Sequence, residues 1–154
     1  MIIKGKDLSV SIKEALKVRV GVLAEQYGRT PNLAVLVVGD DPGSVSYVTG
    51  KAKAATEVGI RNVTIRREAT ISEAELLEIV DQLNNDDDVD GILVQLPLPK
   101  HINENKVIAA ISPEKDVDAF HPMNVAKLWL KQPCMLPCTP KGIIKLLHFA
   151  GVDI

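Results

Sequence analysis

Three times along this chain a run of strand length gives way to a helical repeat, and that order restricts the folds open to it. "LAVLVV" (33–38) is continuous and aliphatic, the pattern of a strand covered on both faces. A turn of Gly39, Asp40, Asp41, Pro42 and Gly43 follows, then a helix from about Val45 to Gly59 with Ser44 or Ser46 as candidate caps. "NVTIRRE" (62–68) alternates and reads as a second strand. "SEAELLEIVDQLNN" reads as a helix opened by Ser72, with Glu75 in the capping-box position. "DGILVQLPLP" (90–99) is a third, buried strand stopped by Pro97 and Pro99, and a shorter helix follows at about 104–111. The order predicts an α/β fold: a three-layer domain with a mostly parallel sheet and helices on both faces.

The flanks fit that frame. From Asp7 to Tyr27 apolar residues recur at Leu8, Ile12, Leu16, Val20 and Leu23, a long amphipathic helix ended by Gly28. After the third unit, a helix is expected over about Val125–Lys131. "QPCMLPCTP" reads as irregular or a short edge strand, and a last helix has Pro140 near its start and Gly151 at its end. With 154 residues, 46% hydrophobic but only 3% aromatic, the chain forms one domain with a core of Val, Ile, Leu and Ala. A net charge of −2 gives no reason to expect a nucleic-acid or anionic-membrane partner. No apolar run is of membrane-spanning length and the first residues hold no signal-peptide core, so a cytoplasmic location is expected. Cys134 and Cys138 are spaced wrongly for a zinc ribbon and read as reduced structural thiols.

Open α/β sheets bind ligands beyond the carboxyl ends of their strands. Three groups of polar residues fall there. Tyr47 and Lys51 are four apart and share one helix face. They suit a solvated surface. They also suit catalysis, because a helix N-terminus disfavours a cation and a desolvated lysine more readily supplies the free amine of a general base. Gln95 interrupts "ILVQLPLP"; it is either a core amide satisfied by backbone or an amide aimed at a ligand or at Lys51. Asp116 and Asp118 alternate across Val117, so in an extended segment they point the same way. Salt bridging, turn capping, and bidentate binding of a guanidine-like ring edge such as that of a pterin all remain open for them. With His121 they lack the spacing of a metal site. "GDDPG" is no nucleotide fingerprint, because it sets two carboxylates where a phosphate needs bare donors.

Four motifs then come in order: "SYVTGKAKAATEVGI", "DGILVQLPLPKHI", "PEKDVDAFHPMN" and "PCTPKGI". Together they resemble the bifunctional methylenetetrahydrofolate dehydrogenase/methenyltetrahydrofolate cyclohydrolase family, over essentially the whole chain. The resemblance implies that residues 1–154 are the folate-binding catalytic domain. It implies that Lys51 is the acid/base, that Tyr47 packs against the pterin, that Gln95 tunes the lysine and that Asp118 binds the pterin. Pro140, in "PCTP", is implied as a residue of the folate cleft. The full-length family uses NADP and is expected to be a homodimer. A chain ending at Ile154 is expected to lack the NADP-binding domain and to bind no NADP itself. Cyclohydrolase turnover needs only the folate site. A tetrahydrofolate-binding module without turnover is the alternative, and a quiet α/β interaction domain a more distant one. Two positions depart from the family pattern: Ala119 and Ala126 stand where glycine is usual, with strain expected wherever the backbone needs a positive φ.

Overall fold

The computed structural model describes residues 3–154. Six helices and three strands alternate along them: α1 Gly5–Tyr27, β1 Asn32–Val38, α2 Pro42–Glu57, β2 Arg61–Arg67, α3 Glu73–Asn84, β3 Gly91–Val94, α4 Glu104–Ala110, α5 Pro122–Trp129 and α6 Cys138–Phe149. The sheet is fully parallel, in the order β2-β1-β3. β1 is central, and all but one of its residues are buried.

That strand order fixes where the helices go. The chain moves from β1 to β2 through α2, then back across β1 to β3 through α3. Right-handed crossovers require two connections running in opposite directions to lie on opposite faces. The core divides accordingly. Ala34, Leu36 and Val38 pack with Leu76 and Val80 of α3 and Val107 of α4. Val35 and Val37 face the other way, onto Val48 of α2 and Leu93 of β3. The three-layer α/β expectation thus holds.

Element ends differ from the sequence reading in instructive ways. α2 begins at Pro42, not Val45, and its cap is Asp41, whose carboxylate accepts from the Ser44 N–H at 2.7 Å. Neither Ser44 nor Ser46 caps it, because proline at the first helical position carries the helix back over Gly43. The turn is therefore Gly39–Asp41, with Gly39 at φ 82. α3 has the full capping box between Ser72 and Glu75. β3 is shorter than expected and ends at Val94, since Pro97 has no N–H with which to continue the ladder. α5 starts at Pro122, capped by the His121 ring, three residues before the expected start. "QPCMLP" is irregular, and α6 takes up Cys138 onward. The cysteines are free. β2 is an outer strand with exposed arginines at 61, 66 and 67.

Two backbone positions carry sharp constraints. A Cβ at Gly91 would meet Val117 Cγ1 at 2.5 Å, so only glycine lets the 115–118 segment lie against β3. In that segment Lys115 O accepts from the Ile92 N–H at 2.7 Å, and Asp116 forms a parallel bridge with Ile92. Ala119 follows at φ 59 while buried, so the strain expected there is real. Ala126 instead sits inside α5, where alanine is the best residue. The two departures from glycine thus act in opposite directions. Ala119→Gly should raise unfolding free energy by about 1 kcal/mol through relief of the left-handed strain. Ala126→Gly should lower it by about 1 kcal/mol. Urea unfolding of both variants checks the pair; matching signs would refute it.

Candidate functional site

The strand order also locates the site. Chain leaving β1 turns to α2 on one face, and chain leaving β3 turns toward α4 on the other. A crevice opens where two such connections part, beyond the carboxyl ends of β1 and β3. A cleft of about 730 Å³ starts there, and Tyr47, Lys51, Gln95, Val117, Asp118 and Phe120 line its polar end.

Each side chain is delivered by its element. Leu93 packs on the α2 face of the sheet, so by the two-residue period Gln95 points to that face as well. Its N–H still donates to Leu36 O at 2.8 Å, which holds the residue in the ladder. Its Nε2 donates to Leu96 O at 2.7 Å, leaving Oε1 free to accept from Lys51 Nζ at 3.4 Å. Lys51 Nζ lies 4.9 Å from the centroid of the Tyr47 ring, within cation–π range. The ring itself is 65% exposed, an open platform at the cleft mouth. Lys51 sits ten residues into α2, counting from Pro42, so the N-terminal dipole expected to act on it falls off before reaching it. Its environment comes from Gln95 and the Tyr47 ring instead.

The two aspartates part company. Asp116 is 3% exposed and accepts from the His121 N–H at 2.8 Å and from Asn124 Nδ2 at 3.0 Å. It is a structural carboxylate that folds the 116–121 loop around itself. Asp118 is half-buried on the cleft wall, and no protein donor reaches it among the described residues. Burial pushes its carboxyl above the ordinary aspartate range; the nearby Lys51 charge pulls it down and Asp116 pushes it up. The two divide because the backbone bridge to β3 draws Asp116 inward and leaves Asp118 on the cleft wall. His121 caps α5 through Nδ1, and no cluster of three or more His, Cys, Asp or Glu residues suited to a metal occurs among the described residues.

Pro140 is exposed and does not line the cleft; Cys138 and Thr139, just before it, do. α6 begins at Cys138, so its first turn faces the cleft and Pro140 turns away. Phe120 was missed by the sequence reading. It is 49% exposed on the cleft wall, and its signal was present in the alternation of 116, 118 and 120 within an aromatic-poor chain. At the α2 N-terminus Asp41 already occupies the helix donors with its own charge, its carboxyl held below the usual range by the Ser44 hydrogen bonds. The turn after β1 does not fit a pyrophosphate.

The chain matches the family model described as "Tetrahydrofolate dehydrogenase/cyclohydrolase, catalytic domain" over residues 3–118. It is 50% identical over 153 residues to the bifunctional protein FolD of Ruminiclostridium cellulolyticum, covering 99% of this chain and 54% of that protein. The bifunctional protein FolD of Acetivibrio thermocellus is 52% identical, with 99% and 53% covered. Among solved structures, the bifunctional methylenetetrahydrofolate dehydrogenase/cyclohydrolase of Campylobacter jejuni superposes with a TM-score of 0.96 at 45% identity, over 99% of this chain and 54% of that one. The Trypanosoma brucei N5,N10-methylenetetrahydrofolate dehydrogenase-cyclohydrolase, solved with NADP cofactor and inhibitor, superposes at 0.95 with 34% identity, over 100% and 53%. The chain spans about half the length of the curated relatives it matches.

The geometry of the aspartates predicts opposite effects on stability. Asp116→Ala should destabilise by about 2–4 kcal/mol, because it strands two buried donors. Asp118→Ala should leave stability unchanged or slightly raised, since a desolvated carboxyl without a donor is lost. Chemical denaturation at neutral pH distinguishes them; equal losses would contradict the assignment.

Proposed function

The chain belongs to the tetrahydrofolate dehydrogenase/cyclohydrolase family, and from that premise we propose that its cleft binds a reduced folate and hydrolyses the 5,10-methenyl bridge to the 10-formyl product. The observation that carries the proposal is the meeting of Lys51 with Gln95 and the Tyr47 ring, across the cleft from an unpaired Asp118. We read residues 1–154 as the catalytic domain; Tyr47, Lys51, Gln95 and Asp118 lie within the matched span, and Pro140 lies beyond it.

The chemistry follows from the chain's own groups. A pterin presents two neighbouring N–H donors on its amino-pyrimidinone edge, and the two oxygens of Asp118 accept them. The Tyr47 ring offers a face for the flat heterocycle. Water adds to the electrophilic bridge carbon as the Lys51 amine takes a proton from it. The bond to N5 then breaks, and the same ammonium returns the proton to N5. The net products are the formyl compound and one proton. Gln95 Oε1 holds the lysine in place without a negative charge that would bind the ammonium too firmly. The oxidation of the methylene compound uses NADP as hydride acceptor in the family, and this chain's α2 N-terminus is closed to it by Asp41. We assign that cofactor's site to the part of the relatives beyond the span of this chain.

The setting we propose is cytoplasmic. No helix of the described residues is long and apolar enough to cross a membrane, and both cysteines are free. The net charge of −2 favours no nucleic-acid partner, and a homodimer is proposed for the full-length family alone.

Two measurements test the reading. Lys51→Met should cut methenyl hydrolysis by about 10²–10⁴ while folate binding stays within about tenfold. Lys53→Met is the control, exposed and about 200° around the helix from Lys51. Unchanged turnover in Lys51→Met would remove the lysine from the mechanism. Binding should also depend on Asp118 ionisation. Affinity is full above the raised pKa of this group and is lost as pH falls through it, earlier than for an ordinary aspartate. Asp118→Ala should lose about 2–4 kcal/mol of folate affinity and flatten that profile. Calorimetry across pH reads both, and a profile that survives the substitution would assign the titration elsewhere.

A further inference from the structure

Behind the cleft wall lies a second, much smaller space. A cavity of about 10 Å³ is lined by Ile92, Leu96, Ile111, Asp116, Asp118 and Phe120, among others. Asp118 and Phe120 line the large cleft as well, so the two spaces share a wall. The small volume is about the room that one water requires, provided polar groups hold it.

Two carboxylates meet that condition. Asp116 uses only one of its oxygens within the protein. The His121 N–H and Asn124 Nδ2 both donate to Oδ2, at 2.8 and 3.0 Å. Oδ1 receives no donor among the described residues, although the residue is only 3% exposed. Nor is Oδ1 sealed in protein, because the one sealed and unpartnered side-chain polar atom among these residues is Asn32 Oδ1. A buried carboxylate oxygen is costly without a donor, so its opening onto a cavity of water size marks where a donor sits. Asp118 is the second partner. It is half-buried without a protein donor, and it stands close enough to Asp116 for that charge to push its carboxyl up. A cation would also suit two carboxylates. However, the other lining side chains are aliphatic or aromatic, and no third ligand joins the pair among the described residues.

We propose that one ordered water occupies this cavity and donates one proton to Asp116 Oδ1 and the other to the Asp118 carboxylate, which makes Asp116 a positioning residue for the folate site. The inference rests on the reading of Asp118 as the pterin acceptor. Each carboxylate oxygen has two lone pairs, so Asp118 takes the water from behind and the pterin N–H groups from the cleft. The water holds Asp118 in its binding orientation before the ligand arrives. A side chain left free to turn must be ordered on binding, which weakens affinity.

Crystals of the 154-residue chain read the water directly. Density for one water within hydrogen-bond distance of both Asp116 Oδ1 and Asp118 is expected. A dry cavity, or an ion at metal–oxygen distances, would overturn the proposal. Ile111→Met reads the effect on Asp118. Ile111 lines the cavity but not the cleft, and methionine keeps the volume while reaching further into the gap. The variant should lose the water and show Asp118 in more than one rotamer. By calorimetry it should bind 5-formyltetrahydrofolate, a stable reduced folate, about three- to tenfold more weakly, with its melting temperature unchanged. Val107→Ile enlarges the same core without lining the cavity, and should bind as the unsubstituted chain does. One fixed Asp118 rotamer and unchanged affinity in the absence of the water would overturn the positioning role. Failure of the folate reading shows separately, as an unsubstituted chain that keeps the bridging water but gives no heat with the ligand.

Discussion

Everything in this domain hangs on β1 being hydrogen-bonded on both edges and covered on both faces. It is the one strand paired to two others, and its residues alternate strictly between the α2 core and the α3–α4 core. That double burial sends successive crossovers to opposite faces. The parting of those crossovers makes the crevice, and the crevice brings α2, the end of β3 and the 116–120 loop together. Lys51 and Gln95 are 44 residues apart in sequence, and only the parallel register of β1 with β3 brings them within 3.4 Å.

How legible this was depended on the length scale of the signal. "LAVLVV" announced β1 because continuous burial leaves an unbroken aliphatic run, and the Ser72–Glu75 box announced α3 because its signal lies within four residues. The start of α2 misled, because proline carries a helix backward over residues that read as turn. In the site, the face shared by Tyr47 and Lys51 followed from helical spacing alone. The separation of Asp116 from Asp118 did not. It depends on a backbone bridge to Ile92 and on donors from His121 and Asn124, none visible as a local pattern. Pro140 misled similarly: the motif lay near the cleft, but the first turn of α6 decides which of its residues faces inward.

The loop that carries Asp118 combines order and strain. Asp116 anchors it from within, Gly91 lets it lie flat on β3, and Ala119 bends it through a left-handed conformation. The bend sets Asp118 and Phe120 on the same cleft wall, on either side of a residue with almost no side chain. Strain of this sort persists where surrounding contacts over-determine the backbone. Here those contacts are the two hydrogen bonds into Asp116.

The outer position of β2 has a consequence for the protein among its own copies. A parallel sheet that ends in an uncovered strand offers a row of backbone donors and acceptors to any neighbouring chain. Arg61, Arg66 and Arg67 line that border, all exposed, and Arg61 is engaged with Asp88. Bringing two such borders together would crowd like guanidinium groups against one another, an electrostatic fence against edge-to-edge growth into fibrils. High salt, which screens those charges, would lower the fence without loosening the fold.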